Sequence, residues 1–288
     1  MEGLVWIGGE FVAPSAARVS LFDRGYLLGD GVFATVRAYG GRPFRLDAHL
    51  AGLAAGAAGL GIPLAPSGAA LADLVRETLG RSGLGEAAIR VTLSRGPGPG
   101  GIASAGTGPA TLSIAVRPFV PYPEAARTRG IETAFVATRR IPPECLDPAW
   151  KTANYLPNVL ARRELEARGL IEGIVRSVGG APVSGIVSNL FVVREGRLLT
   201  PSVESGCRPG IVRAALLDLA RAAGIPVEER ELGLDDLAAA DEVFFSNSLM
   251  ETLAAARLEG RELAGPGGSV HSRLAAAFRD LVRRETAA

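Results

Sequence analysis

Of the 31 basic residues in this 288-residue chain, thirty are arginine and one, Lys151, is lysine. The two cations differ chemically. A guanidinium stays protonated and is a poor nucleophile, whereas a partly desolvated ammonium can lose its proton and attack a carbonyl carbon. An Arg-, Ala- and Gly-rich composition replaces lysine wherever charge alone matters, so a lysine that survives is a candidate nucleophile; the plain alternative is a surface lysine left by chance. A second group of residues could hold an anion. Pro209-Gly210-Ile211-Val212-Arg213 sets glycine and then backbone amides at a helix start, where unpaired N–H groups and the positive dipole end attract negative charge. Ser246-Asn247-Ser248 follows the apolar run DEVFF and could add hydroxyl and amide donors to the same anion. An ordinary capped helix and a polar turn would have the same sequence. A phosphate held by both segments, with Lys151 in reach of a carbonyl carbon, is the chemistry they suggest together.

These residues need a scaffold, and the patterning supplies one of mixed helices and strands. LVWIGGEFV and GVFATVRAYGGRPFRL predict hairpins turning at Gly8-Gly9 and Gly40-Gly41. Helices are predicted near 47–60 and 67–80, and AAIRVTLSRG and ATLSIAVRPF are strands around a glycine-rich loop, Gly96 to Gly101. PYPEAARTRG, polar with two prolines, marks a linker. Beyond it, IETAFVAT, EGIVRSV, SNLFVVREGRLLT, PVEERE and DEVFFSN predict strands, and helices fall near 156–168, 210–223 and 272–284. The expected organisation is a small N-terminal α/β domain over 1–120, a linker over 121–128 and a larger domain over 129–288 that carries Lys151.

Bulk properties exclude several classes. Apolar residues make up 48% of the chain, enough for a sizeable core, and the formal charge of +1 comes with no basic stripe for nucleic acid. No apolar run reaches the roughly 18 residues of a membrane span, and the first residues lack a signal-peptide pattern, so a cytoplasmic protein is expected. Cys145 and Cys207 are far apart and read as free thiols, and His49 and His271 are too scattered for a metal centre.

Four segments, SLFDRGYLLGDGVFATVR (Ser20 to Arg37), KTANYLPNVLARRE from Lys151, SNLFVV after Ser184-Gly185, and PGIVR followed by ADEVFFSNS, resemble in order and spacing the class IV aminotransferases, the fold-type IV pyridoxal phosphate (PLP) enzymes. That family includes branched-chain and D-amino acid transaminases and aminodeoxychorismate lyase, and the resemblance covers nearly the whole chain. It implies the two-domain α/β (α+β) fold of that family, PLP as cofactor, an amino acid or keto acid substrate, and a homodimer. Lys151 matches the Schiff-base lysine that also shuttles a proton, and Tyr155 the tyrosine bonded to the cofactor's phenolic oxygen. Ile211 and Val212 match the amides that hold the phosphate, Ser248 a hydroxyl ligand of it, and Phe33 a position lining the substrate pocket. Asn189 lies in a motif that supports the active-site strand. Either transamination or a lyase reaction on an aminodeoxychorismate-type substrate fits.

The chain also departs from the family pattern. In His49-Leu50-Ala51-Gly52-Leu53, Gly52 stands where the resemblance implies a phosphate-gripping arginine. In VSGIVSN, Ser184 stands where it implies the glutamate that pairs with the protonated pyridine nitrogen. Val212 replaces the usual threonine, and Gly100 stands where related enzymes often carry a basic residue toward the substrate; Arg95 is the remaining candidate, or a strand-end charge. A charge-assisted Arg–phosphate contact is about twice as strong as a neutral hydrogen bond, and serine cannot hold a pyridine nitrogen protonated as a carboxylate does. The departures therefore leave open a relative that has lost normal PLP binding and takes another small anion or does PLP-free chemistry, and, further off, a non-catalytic binding protein.

Overall fold

The computed structural model describes residues 2–287. Contacts divide the chain into two units. The first comprises residues up to Val120 together with Ala149–Asn154 and the chain end from Glu285; the second comprises Pro121–Pro148 and Tyr155–Arg284.

In the first unit, β1 (Leu4–Ile7) and β2 (Glu10–Val12) form a hairpin, and α1 (Arg24–Leu28) precedes the long strand β3 (Gly31–Tyr39). β4 (Arg42–Pro43), α2 (Leu46–Gly59), α3 (Gly68–Ser82), β5 (Ala87–Ser94) and β6 (Thr111–Pro118) follow. The strands make one six-stranded sheet in the order β2-β1-β6-β5-β3-β4. Alternation sets its packed face: Ala87, Ile89, Val91 and Leu93 of β5 are buried at every second position, and with Ile114 and Val116 they meet Leu50, Leu53, Leu71 and Val75 of the two helices. Both turns predicted at paired glycines are present, with all four glycines at positive φ, where only residues without a Cβ sit at no cost.

The second unit begins with α4 (Glu124–Arg129), β7 (Ile131–Thr133) and β8 (Phe135–Arg139), then α5 (Leu156–Glu166), β9 (Ile174–Arg176) and β10 (Pro182–Gly185). β11 (Asn189–Arg194), β12 (Arg197–Thr200), α6 (Ile211–Ala222), β13 (Val227–Glu229), α7 (Leu234–Ala238), β14 (Glu242–Asn247), β15 (Glu251–Leu258), β16 (Arg261–Glu262) and α8 (Ser269–Glu285) complete it. One sheet runs β13-β12-β11-β14-β15-β16, with β7 parallel to β15; a smaller one runs β10-β9-β8. One face of the large sheet buries Leu190, Val192, Val243, Phe245, Leu253 and Ala255. On the other, Phe191 and Phe244 stack 4.8 Å apart, and His271 of α8 lies against Phe244. Glu242 stands in for a helix cap there, its carboxylate accepting from the amides of Val270 and His271 at 3.0 and 2.8 Å.

Two features differ from the sequence reading. The stretch taken as a linker, 121–128, holds most of α4, whose Ala126 is buried in the second unit's core together with Tyr122 packed against it. Apolar side chains at two positions of a polar stretch were enough to dock it. Lys151, expected in the larger domain, belongs to the first unit. Its segment lies along β3: the Phe33 amide donates to the Lys151 carbonyl at 2.8 Å, the Ala153 amide to the Gly31 carbonyl at 2.9 Å, and Val32 bridges Thr152. Strand pairing rather than chain order decides where this segment sits.

Candidate active site

In the first unit the site is built around Lys151. Its neighbour Trp150 lies on α2, where a Cβ on Gly59 would overlap the indole ring and one on Gly56 would reach the Trp150 backbone at 3.6 Å. Gly59 thus lets Trp150 anchor the segment from one side while β3 holds it from the other. The Lys151 Nζ lies 4.7 Å from the centre of the buried Phe33 ring, a cation–π distance. The guanidinium carbon of Arg90, on the neighbouring strand β5, lies 3.5 Å from the same ring centre. The strand register explains it: Phe33 faces Thr92, and Thr35 faces Arg90. Arg90 was missed from the sequence, where it is one charge in an alternating strand; cross-strand pairing alone brings it to Phe33.

Arg95 has another role than the substrate contact considered for it. Its Nε and Nη2 donate to Asp30 at 2.7 and 3.1 Å, and its remaining contacts go to the carbonyls of Leu60 at 2.7 Å and Gly61 at 3.0 Å. Arg24, buried, shares Asp30 at 2.9 Å and donates to the carbonyls of Gly101, Ile102 and Ala103. Burial alone would raise the Asp30 carboxyl, but the bonds from Arg95 and Arg24 outweigh it and hold the group below the usual carboxylate range. The pair of arginines fixes the glycine-rich loop to α2 and β3. Gly52, on the half-exposed side of α2, has no atom within 4 Å of where a Cβ would stand. The position is open, so the absence of the arginine leaves space and not a repacked core.

The second unit carries the anion-binding segments. α6 begins at Ile211, and no side chain caps it. The amides of Ile211, Val212 and Arg213 are thus the N-terminal donors that a helix leaves without intrahelical partners. The approach to this end is held by Asn189, whose amide nitrogen donates to the Arg208 carbonyl at 2.7 Å and to the Cys207 sulfur at 3.1 Å. A Cβ at Gly210 would overlap the Asn189 side chain, so glycine is required there. Asn189 pairs with Ser246 across β11 and β14, which projects both side chains to one face. The Ser246 hydroxyl is fully buried and has no hydrogen-bond partner among the described residues. Ser248 sits in the turn after β14, ordered by Asn247, whose side-chain oxygen accepts from the amides of Leu249 and Met250 at 2.9 and 2.7 Å. Tyr155 forms the start of α5, with Pro157 in its first turn.

Ser184, next to last in β10, pairs with Val175 of β9 and is 3% exposed; its hydroxyl, too, has no partner among the described residues. The turn that follows is clamped from beneath by Glu172. Its Oε1 accepts from the Ile186 amide at 2.7 Å and the Gly173 amide at 3.1 Å, while Oε2 has no partner among the described residues. Complete burial pushes this carboxyl up to about 7, against the pull of the two amides and of Arg162. No group of His, Cys, Asp and Glu among the described residues could hold a metal ion.

The family model for amino-transferase class IV matches residues 31–258. The crystal structure of the Escherichia coli branched-chain amino acid aminotransferase superposes with a TM-score of 0.93 at 31% identity, covering 99% of this chain and 96% of that one. The 4-amino-4-deoxychorismate lyase of Pseudomonas aeruginosa gives 0.83 at 33% identity over 96% and 98%. The aminodeoxychorismate lyase of Bacillus subtilis is 29% identical over 94% of this chain and 92% of its own. The fold is that of a fold-type IV enzyme, α/β with helices on mixed sheets. The chain belongs to the class IV aminotransferase family.

Proposed function

We propose that the protein is a PLP enzyme that acts on the amino group of an amino acid or of an aminodeoxychorismate-type substrate, by transamination or by elimination, through Lys151. The observation that carries the cofactor is the set of unmet donors in the second unit: the uncapped start of α6 and the buried, unpartnered hydroxyls of Ser246 and Ser184. A buried polar group without a partner costs about 1–3 kcal/mol, which a bound ligand with matching acceptors removes. The residues fit the group. The amides of Ile211 and Val212 with the Ser248 hydroxyl would hold the phosphate, Tyr155 the phenolic oxygen, and Ser184 the pyridine nitrogen; Lys151 would hold the carbonyl carbon. When bound, PLP supplies an electron sink that stabilises negative charge on the carbon bearing the substrate's amino group. Lys151 is the base that takes and returns the proton at that carbon, and the Phe33 ring lies 4.7 Å from its Nζ. The Arg90 guanidinium, exposed at the same ring, is suited to a substrate carboxylate.

Ser184 makes the sink weaker than a carboxylate would, because a hydroxyl does not favour a protonated pyridine nitrogen. The family match along the chain lends no support to a PLP-free relative, and the open space at Gly52 is compatible with retained binding. The test is an absorption spectrum of the purified protein with and without added PLP. A visible band that borohydride abolishes is expected, followed by turnover in a screen of amino donors and aminodeoxychorismate; a colourless protein indifferent to PLP would sink the proposal.

We further propose a homodimer in the cytoplasm. Among the described residues no helix is long and apolar enough to cross a membrane. Val19, Leu21, Phe22, Tyr26, Leu27 and Leu28 crowd one short segment of the first unit with large exposed side chains, Leu21 at 71% and Phe22 at 69%. Contiguous exposed apolar surface of this kind marks an interaction site. The double variant Leu21→Asp/Phe22→Asp is expected to run at half the native mass in sedimentation; an unchanged mass would exclude this patch.

A further inference from the structure

Between β10 and β11, residues 185–188 make a turn whose polar groups are taken by three other parts of the second unit. The turn closes through the Gly185 amide, which donates to the Ser188 carbonyl at 2.9 Å. A Cβ at Gly185 would overlap the Ser188 hydroxyl and stand 3.0 Å from Glu172 Oε1, so the closure requires glycine. The Ile186 amide donates to Glu172 at 2.7 Å. The Ile186 carbonyl accepts from Nδ2 of Asn158 on α5, and the Ile186 side chain shares a core cluster with Ala161 and Leu165 of that helix. The Val187 carbonyl accepts from Nδ2 of Asn247 at 3.3 Å. Asn158 stands one helical turn after Tyr155, the residue at which α5 starts. Asn247 immediately precedes Ser248, and its Oδ1 orders that turn through the amides of Leu249 and Met250. Asn247 therefore uses both ends of its carboxamide, one to shape its own turn and one to hold the next. Ser184 leads directly into 185–188, so this one turn ties Tyr155, Ser184 and Ser248 together. The two asparagine bonds differ in what water can replace. Ile186 is fully buried, so its carbonyl needs a protein partner. The bond to Val187 is exposed, where water can take over a lost partner; it adds little to folding and chiefly fixes one turn against the other.

Resting on the PLP reading above, we propose that the turn 185–188 is the common anchor of the second unit's cofactor residues and that Asn158 and Asn247 are its positioning residues. Asn158 sets Tyr155 against Ser184, and Asn247 sets Ser248 against Ser184. Neither asparagine has to touch the cofactor. Each acts through the residue it places, so its contribution to binding vanishes when that residue's own contact is removed.

The experiment is a pair of double-mutant cycles read by titration of PLP into the PLP-stripped proteins, with thermal unfolding of each stripped protein alongside. One cycle combines Asn158→Ala with Tyr155→Phe, the other Asn247→Ser with Ser248→Ala. Asn247→Ser adds no charge beside the phosphate and keeps a hydroxyl that can accept within its own turn, but it is too short to reach Val187. Each single asparagine variant is expected to weaken PLP about five-fold, and to add nothing once Tyr155→Phe or Ser248→Ala is present. Asn247→Ser is also expected to unfold near the wild-type temperature. Losses that add in both double variants overturn the proposal, because they mark a general structural role, and so does wild-type affinity in both single variants. Non-additivity in one cycle alone overturns the assignment of the other asparagine. If Asn158→Ala does not fold, the Asn247 cycle carries the test. Wild type that binds no PLP overturns the proposed function and this assignment with it, whereas wild type that binds PLP beside indifferent asparagine variants overturns only the assignment.

Discussion

Lys151→Ala is expected to lower turnover by at least about three orders of magnitude and to abolish the borohydride-sensitive visible band, while leaving thermal stability near wild type. The size follows from the roles lost: a positioned proton carrier contributes about 10²–10⁴-fold, and a covalent attachment point comes in addition. The stability follows from how the segment is held. Its fixed points are backbone hydrogen bonds to Gly31 and Phe33 and the seat of Trp150 on α2, none of which uses the lysine side chain. Lys151→Arg separates chemistry from charge. Arginine keeps a cation over the Phe33 ring but cannot act as nucleophile or base at neutral pH. It is expected to be as inactive as the alanine variant, and activity within ten-fold of wild type would show that Lys151 serves only as a charge.

How much of this was legible in the sequence depended on whether the signal was local. Hairpins with paired glycines, amphipathic α3 and the apolar strand β14 follow from turn chemistry and period, and their bounds fall within a few residues of expectation. β15 was not foreseen. Its ETLAAARL is alanine-rich, which favours helix, and the strand exists because β14 and β7 flank it and bury Leu253, Ala254 and Ala255. β10 was hidden by its proline, and α1 and α7, of five residues each, are shorter than any periodicity can reveal. The same division holds for the site. Lys151, Gly210 and Ser248 stand out by residue type beside a turn or helix start. Arg90 and Glu172 do not, because what matters about them is a partner across a strand or complete burial. Arg95 misled for the reverse reason: a strand-end arginine looks exposed until Asp30 and two carbonyls at the end of α2 are found to hold it.

Glu172 makes a measurable claim about pH. Its carboxyl titrates near 4.5 when solvated and at about 7 in the folded protein, raised chiefly by burial. The unfolded chain therefore releases this proton first as pH rises, so stability is full below about 4.5, falls through the interval and stays reduced above 7, by about 3 kcal/mol in all. His271 works in the opposite sense. Burial lowers its imidazole from 6.5 to about 4, so the unfolded chain takes up a proton first as pH falls, and stability is lost between 6.5 and 4. Between about 4.5 and 6.5 the two slopes oppose one another. In Glu172→Gln the uncharged amide can still accept from the Ile186 and Gly173 amides, and the charge is gone. The variant is expected to match wild type near pH 4.5, to gain on it steadily up to pH 7, and to exceed it by about 3 kcal/mol at pH 8 in urea unfolding. The lowered carboxyls of Asp30 and Asp236 act equally in both proteins and drop out of the difference. Parallel stability curves for the two proteins from pH 4.5 to 8 would mean that Glu172 is ionised at no cost, and the clamp beneath the Ser184 turn would then have to be solvated.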